Sequence, residues 1–320
     1  MLANLPVEMI LLVCEYPELK DLGQLAWTNY QMMQIIKRYL PMALERKTLL
    51  YMDYQNDDIS EGRICLFDSH TNSVEQIAKF TSYLWPWEVA TTKDKIFSLD
   101  SANKWFEIYD LDTRQISRGP NPPEWRDHAT VTYFKDKLYY LGGEDPKTWN
   151  NTNRVDVLID GTWQTGPAFP LPIELAQTIT CDGILYVIDR WGSRKIYRLS
   201  EDEREWIEIG EIPEKRGSPG VASLNGKIYI TGGVNREVAD RVVVLKSCLC
   251  FDPSAPVGSR VSRIADMNYA RKQHSLIVAS GKLYAIGGFQ EKLERDFCGS
   301  IEEYDPQTNE WREVGEINIK

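Results

Sequence analysis

Few residues in this sequence have the types and spacing that catalysis or metal binding requires. Its three histidines, His70, His128 and His274, are far apart in the chain, and its cysteines form no Cys-x-x-Cys pair. No Gly-x-Ser-x-Gly motif marks a nucleophile, and the segment from Gly220 to Lys227 leads into a predicted strand instead of the helix that a phosphate-binding loop needs. The sequence therefore predicts no catalytic residue, no metal site and no cofactor.

The composition argues against several further functions. Lys and Arg number 37 and Asp and Glu number 47, and the resulting net charge of −10 argues against general affinity for nucleic acid or an anionic membrane. No apolar run approaches the roughly 20 residues of a membrane helix. We expect a cytoplasmic or nuclear protein. Its cysteines are expected to be free, buried or half-buried thiols of a reducing compartment, and they are Cys14, Cys65, Cys181, Cys248, Cys250 and Cys298.

The elements that position these residues follow two different periods. In residues 1–40 the apolar residues recur three and four apart, as in Met32, Ile35 and Ile36, which predicts about three short helices. In residues 47–320 apolar and polar residues alternate between turn residues, which predicts strands. We therefore expect a small helical domain at 1–40 and a mainly-β domain at 47–320.

The β domain repeats with a period of about 45 residues, which is typical of propeller blades. In the clearest copies, residues 137–143, 227–233 and 282–288, a lysine opens the strand and a Gly-Gly pair ends it. Such glycines allow positive φ and the close approach of another backbone. The aromatic positions of the six copies are Tyr51, Phe97, Tyr139, Tyr186, Tyr229 and Tyr284.

A turn and a tryptophan follow these strands. The fullest form is Tyr304-Asp-Pro-Gln-Thr-Asn-Glu-Trp311, whose Asp, Pro and Asn favour a turn between two strands. With these motifs, residues 47–320 resemble kelch repeats. The resemblance implies a β-propeller in which each repeat forms a four-stranded blade, and six copies imply six blades, the first of them degenerate.

Residues 5–36 resemble an F-box. The resemblance rests on Leu5-Pro6-x-Glu8-Met9-Ile10 and on Lys20-Asp21-Leu22 at the appropriate distance. The alternative is a helical cap that packs on the first blade through the same apolar residues. The residues that the resemblance assigns to binding an adaptor protein are Leu5, Pro6, Glu8, Ile10, Val13, Tyr16, Leu22 and Leu25.

An F-box followed by a kelch propeller resembles the substrate-recognition subunits of SCF-type cullin–RING ubiquitin ligases. The resemblance implies that the helices bind a Skp-type adaptor and with it the cullin complex, while the propeller binds the protein to be ubiquitylated. It also implies that this chain performs no catalysis itself. The alternatives are a kelch interaction scaffold that engages no ligase and, less favoured, a kelch-type enzyme of the epimerase or oxidase class.

Tryptophans and arginines outside the repeat positions indicate where a partner would bind. In a blade of strands a, b, c and d, the b–c loops and the loops from d to the next strand a lie on one face, called here the b–c face. Trp and Arg are the residue types most enriched at binding hot spots. His128 and His274 precede strand a at nearly equivalent positions and are predicted to be structural. The predicted partner-binding residues are Trp85, Trp87, Trp105, Trp125, Arg126, Trp149, Arg190, Trp191, Arg236 and Arg271.

Overall fold

The computed structural model describes residues 47–55, 60–79, 89–92, 94–189, 193–235, 242–290 and 297–317. The predicted helical domain at residues 1–40 lies outside these ranges. Within them the regular elements are β-strands, and no helix is long and apolar enough to cross a membrane.

Six antiparallel sheets of three or four strands follow one another along the described chain. The first, called here the N-terminal sheet, comprises β1 (Lys47–Gln55), β2 (Ser60–Asp68) and β3 (Ser73–Lys79). Blade 1 comprises β4 (Val89–Thr91), β5 (Lys95–Asp100), β6 (Trp105–Asp110) and β7 (Gln115–Arg118). Blade 2 comprises β8 (Thr130–Phe134), β9 (Lys137–Leu141), β10 (Val155–Ile159) and β11 (Thr162–Thr165).

Three further four-stranded blades complete the described chain. Blade 3 comprises β12 (Gln177–Cys181), β13 (Ile184–Ile188), β14 (Lys195–Leu199) and β15 (Trp206–Glu211). Blade 4 begins with β16 (Gly220–Leu224) and β17 (Lys227–Thr231), continues through a ribbon of β18 (Val234–Asn235) and β19 (Val243–Val244), and ends with β20 (Cys248–Phe251) and β21 (Val261–Ile264). Blade 5 comprises β22 (Ser275–Ala279), β23 (Lys282–Ile286), β24 (Ser300–Asp305) and β25 (Glu310–Glu316).

The blades pack side by side through their first strands. Strands β4, β8, β12, β16 and β22 contact one another in that order, and β1 contacts β22. In each blade the four strands pair consecutively from a to d, as the repeats predict. The described residues therefore form a β-propeller with five four-stranded blades.

Apolar clusters fill the interfaces between successive sheets. Five of the six predicted aromatic positions, all except Tyr51, have described side chains, and these five lie in the clusters; for example, Tyr139 of blade 2 packs with Leu185 and Tyr197 of blade 3. Equivalent buried positions are held by Phe97, Tyr186, Tyr229 and Tyr284. The period of the sequence thus predicted the residues that hold neighbouring blades together.

The N-terminal sheet lies between blade 5 and blade 1. Phe67 on β2 packs against Tyr284 of blade 5, with ring centroids 4.8 Å apart, and Ile64 packs with Ile96 of blade 1. Its three strands correspond to strands b, c and d, because Tyr51 lies on β1 and Phe67 on β2. Residues 41–46, where a first strand would belong, lie outside the described ranges, so the sixth four-stranded blade stays a prediction.

The glycine pairs allow two backbones to approach across each interface. Gly232 has φ of +57°, and a Cβ added to it would lie 2.3 Å from the carbonyl oxygen of Arg271 in the loop that enters blade 5. The next residue, Gly233, donates its N–H to that same oxygen at 2.8 Å. Likewise, a Cβ added to Gly142 would lie 2.2 Å from the carbonyl oxygen of Ile173. The predicted role of these glycines in close backbone approach is confirmed.

The repeat tryptophans form a second contact between blades. Each lies on strand d, and its indole N–H donates to a main-chain carbonyl just beyond strand d of the preceding blade. The donor–acceptor pairs are Trp163 with Pro120 at 2.7 Å, Trp206 with Pro167 at 3.0 Å, and Trp311 with Ala265 at 3.0 Å. The prediction that these three tryptophans belong to the fold is confirmed.

Candidate interaction surface

Trp149 is the tryptophan most exposed among the described residues. It lies in the b–c loop of blade 2, between β9 and β10, and 74% of its surface is accessible to solvent. A large apolar side chain in this position is available for contact with another molecule.

The loop that carries Trp149 is a hydrogen-bonded turn. The Trp149 N–H donates to the Asp145 carbonyl at 2.9 Å, and the Asp145 N–H donates to the Asn150 carbonyl at 3.0 Å. The Asp145 carboxylate accepts the Lys147 N–H at 2.8 Å, and this hydrogen bond lowers the pKa of Asp145. Trp149 itself has φ of +57°. These hydrogen bonds fix the backbone of the loop, so the exposed indole of Trp149 is carried by an ordered turn.

Two other predicted tryptophans have different environments. Trp105 begins strand c of blade 1, is 39% exposed, and has the guanidinium of Arg118 4.5 Å from its ring centroid. Trp125 is half-buried and packs against the cluster between blades 1 and 2. Trp105 is therefore accessible from the b–c face, whereas part of Trp125 serves as packing.

Arg126 is buried inside its own blade. Its guanidinium is 1% exposed, donates to Oδ2 of Asp156 at 2.8 Å and to the Tyr140 carbonyl at 3.0 Å, and lies 4.4 Å from the Tyr140 ring centroid. Burial lowers the pKa of Arg126, and the neighbouring Tyr140 and Asp156 partly restore it. Arg154 also bonds Asp156, at 2.9 Å, and reaches Glu124 at 3.1 Å.

Arg271 has the corresponding position in blade 5. It is fully buried, and its guanidinium donates to Oε1 of Glu302 at 2.7 Å and to the Ser300 carbonyl at 3.0 Å. Arg216 is buried at the same position in blade 4, where it donates to the Gly232 carbonyl at 2.9 Å and to the Ser247 carbonyl at 2.7 Å, while its carboxylate partner at 2.6 Å is Glu214 of its own loop.

These contacts correct the expectation that Arg126 and Arg271 present their charges to a partner. Each guanidinium turns inward from the loop before strand a and binds strands b and c of its own blade. The spacing of the arginines before strand a could have revealed this, because they recur at an equivalent point of three repeats and blade 3 has Ile173 there. A residue type that recurs at the same position of several blades indicates a role in the fold, not in binding a partner.

The remaining predicted site residues lie outside the described ranges. They are the eight residues predicted to bind an adaptor, Leu5, Pro6, Glu8, Ile10, Val13, Tyr16, Leu22 and Leu25, and five of the residues predicted for the b–c face, Trp85, Trp87, Arg190, Trp191 and Arg236. Their roles stay predictions.

The described cysteines are free and buried, as predicted. Burial raises the pKa of Cys65 to about 11 and that of Cys248 to about 12. Thiols with such pKa values are protonated at neutral pH and are poor nucleophiles and metal ligands.

The two histidines before strand a differ in exposure. His274 is buried, and its Nε2 lies 2.8 Å from Oγ1 of Thr231, as expected for a structural histidine. His128 is half-buried, with 44% of its side chain exposed.

Comparison with known proteins agrees with this architecture. Residues 215–268 and 270–318, which contain blades 4 and 5, match the kelch motif. Kelch-like protein 15 of Danio rerio is 35% identical over 143 residues, which are 40% of this chain and 22% of that protein. Kelch-like protein 26 of Danio rerio is 24% identical over 224 residues, 67% of this chain and 36% of that protein.

A human relative gives a similar result. Kelch repeat and BTB domain-containing protein 13 of Homo sapiens is 33% identical over 127 residues, 39% of this chain and 26% of that protein. The matched part of the chain therefore spans between 22% and 36% of the length of these relatives. Residues 215–268 and 270–318 are therefore kelch motifs, and these motifs, the propeller and the similarity to Kelch-like proteins support a protein of the kelch type.

Proposed function

We propose that the propeller is a protein-binding module whose contact surface is centred on Trp149. The observation that carries the proposal is the 74% exposure of this indole on a hydrogen-bonded turn. Tryptophan buries a large area with few rotatable bonds, and tryptophans are over-represented among residues that dominate binding energy. An ordered loop also loses little conformational entropy on binding.

Trp149→Ala tests this proposal against a control on the opposite face. Val257 lies in the c–d loop of blade 4 and is 84% exposed, so Val257→Ala removes an equally accessible apolar side chain elsewhere. Proteins that co-purify with tagged chain from its own cells are compared by quantitative mass spectrometry. We expect specific partners to be retained by wild type and Val257→Ala and reduced at least tenfold by Trp149→Ala, about 1.4 kcal/mol of binding energy. Identical partner sets for all three proteins would contradict the proposal.

We further propose that the chain is the substrate-recognition subunit of an SCF-type ubiquitin ligase. The support is the F-box resemblance of residues 5–36, immediately before a kelch propeller. The name of one relative likewise joins kelch repeats to a second kind of domain, BTB. In this arrangement the chain raises the effective concentration of a target protein near the ligase without performing chemistry itself.

The adaptor-binding step has its own test. In a pulldown with a Skp-type adaptor, Leu5→Ala combined with Pro6→Ala is expected to abolish capture. The control is Ile116→Ala, which changes a half-exposed residue on strand d of blade 1 and is expected to leave capture unchanged. Failure of the wild-type chain to bind the adaptor would exclude the ligase function and favour a kelch scaffold.

The same proposal assigns the protein to the cytoplasm or the nucleus. The support is the presence of free, buried cysteines, which suit a reducing compartment. Imaging of a fluorescently tagged chain in its own cells tests it, and accumulation in the secretory pathway would contradict it.

A further inference from the structure

Three side chains from different loops converge at the interface between blades 2 and 3. His128 precedes strand a of blade 2, Glu144 follows its glycine pair, and Glu174 precedes strand a of blade 3. One imidazole nitrogen and one oxygen from each carboxylate lie within 4.8 Å of one another. The three residues are remote in sequence, which is why the spacing of histidines and cysteines did not indicate this cluster.

Hydrogen bonds between main-chain atoms fix the three loops relative to one another. The Glu144 N–H donates to the Asp127 carbonyl at 2.7 Å, next to His128. The Leu175 N–H, next to Glu174, donates to the His128 carbonyl at 2.9 Å. The loops that carry the imidazole and both carboxylates are therefore positioned by the propeller before any ligand arrives, as a binding site requires.

The imidazole of His128 has an unsatisfied atom that faces this cluster. Its Nδ1 is shielded from solvent, has no hydrogen-bond partner among the described residues, and lies 3.6 Å from Oε2 of Glu144. Imidazole nitrogen and carboxylate oxygen are both ligands of divalent first-row metal ions, so a cation between these two atoms would give each of them a partner.

The geometry suits a metal ion of the zinc class. Zinc binds imidazole nitrogen and carboxylate oxygen at about 2.0–2.2 Å, which places neighbouring ligand atoms about 3.4 Å apart in a tetrahedral site. The 3.6 Å between His128 and Glu144 is close to this separation, and because all three ligand atoms lie within 4.8 Å of one another, small rotations of the side chains would bring them into range. Two carboxylates supply two negative charges, which balance a divalent cation. The imidazole favours zinc and similar first-row ions over Mg²⁺ and Ca²⁺, which prefer oxygen ligands.

We propose that His128, Glu144 and Glu174 bind a divalent zinc-class metal ion across the interface of blades 2 and 3. The ion has three protein ligands, and all three side chains are half-buried. Glu144 begins the loop that carries Trp149, so the bound ion also anchors the base of that loop.

Zinc titration of the chelator-treated 320-residue chain by isothermal titration calorimetry tests the proposal. We expect one high-affinity ion per chain. His128→Asn removes the imidazole while retaining a residue type that tolerates positive φ, which His128 has at +57°. It is expected to weaken zinc binding roughly 100-fold or more, because losing even a supporting hydrogen bond to a metal ligand weakens binding 10–100-fold. Glu174→Gln is expected to act in the same direction.

The matched control is His70→Asn, which changes an exposed histidine in the β2–β3 turn and should leave the titration unchanged. Unfolding curves of each variant verify that it is folded. The proposal is overturned if the wild-type chain binds no zinc, if His128→Asn binds it as tightly as wild type, or if Mg²⁺ binds as tightly as Zn²⁺.

Discussion

Three arginines direct their N–H donors into the blades to which they belong. Arg126, Arg216 and Arg271 precede strand a and are each at most 1% exposed. Burying a guanidinium is favourable only when carboxylates and carbonyls replace its water, and every one of them has both kinds of partner. These side chains therefore join the incoming loop to strands b and c.

Arg271→Ala tests the structural role of these arginines. It leaves the Glu302 carboxylate buried without its cation, and removing one partner of a buried pair costs about 3–5 kcal/mol. The expected result is a loss of that size in the free energy of unfolding, measured by urea titration. The control is Arg194→Ala, whose pair with Glu211 is exposed and is worth about 0–1 kcal/mol. Equal, small losses for both variants would show that burial of Arg271 contributes little.

His274 makes the stability of the propeller dependent on pH. Burial, with the nearby charge of Arg271, lowers the pKa of His274 well below 6.5. An unfolded chain binds a proton at this position near pH 6.5, whereas the folded chain does not, so stability is full above that pH and falls as the pH decreases below it. The loss approaches about 1.4 kcal/mol per pH unit until the folded pKa is reached.

The measurement is the free energy of unfolding at pH 7.5 and at pH 5.5 for wild type and His274→Gln. The variant is expected to show a smaller decrease between the two pH values, and His70→Gln serves as the exposed control. An unchanged pH dependence in His274→Gln would assign the effect to other groups.

At the scale of elements, a few glycines determine how closely blades approach. Gly232 and Gly183 both have positive φ, but a Cβ on Gly232 would meet a carbonyl oxygen at 2.3 Å, whereas nothing lies within 4 Å of one on Gly183. Gly183→Ala is expected to lose about 1–2 kcal/mol of stability through backbone strain alone. Gly232→Ala adds a steric clash between blades, which costs about 1–3 kcal/mol more. Thermal unfolding of both variants separates the two effects, and similar losses would contradict the close-approach argument.

The sequence predicted the elements better than the surface. Period-two patterns, aromatic positions and glycine pairs identified the strands of five blades, because each of these features recurs at every interface. The inward direction of Arg126 was missed: its recurrence with Arg216 and Arg271 was the available signal, but its partner Asp156 lies in another strand and is not marked by the sequence. The order of strands in a blade predicts that Trp149, in a b–c loop, lies on the b–c face. The exposure of its side chain, however, depends on the length and hydrogen bonding of one loop that does not recur in the other blades. Surface features that occur once leave no period in the sequence.

At the scale of the whole molecule, each of the five blades packs on the next, and the N-terminal sheet packs on both blade 5 and blade 1. Phe67 is fully buried between this sheet and blade 5. We expect Phe67→Ala to lower the free energy of unfolding by about 3–5 kcal/mol, as for other buried phenylalanines. Because each sheet is packed on two others, the loss should appear in a single transition of the whole propeller.

Circular dichroism and tryptophan fluorescence, recorded together during urea unfolding, measure this effect. The control Ile116→Ala, on a half-exposed side chain, is expected to change stability by about 0.5 kcal/mol or less. An early separate transition confined to the N-terminal sheet would show that it is not part of the cooperative unit.

The indole contacts between blades have a consequence for how such proteins diverge. Each repeat tryptophan donates its hydrogen bond to a main-chain carbonyl, at Pro120, Pro167 or Ala265, and not to a particular side chain. A substitution in one repeat therefore requires no compensating substitution in its neighbour at this contact. Repeats that contact one another through shared backbone geometry can lose sequence similarity independently, duplicate, or be exchanged between propellers while the ring persists.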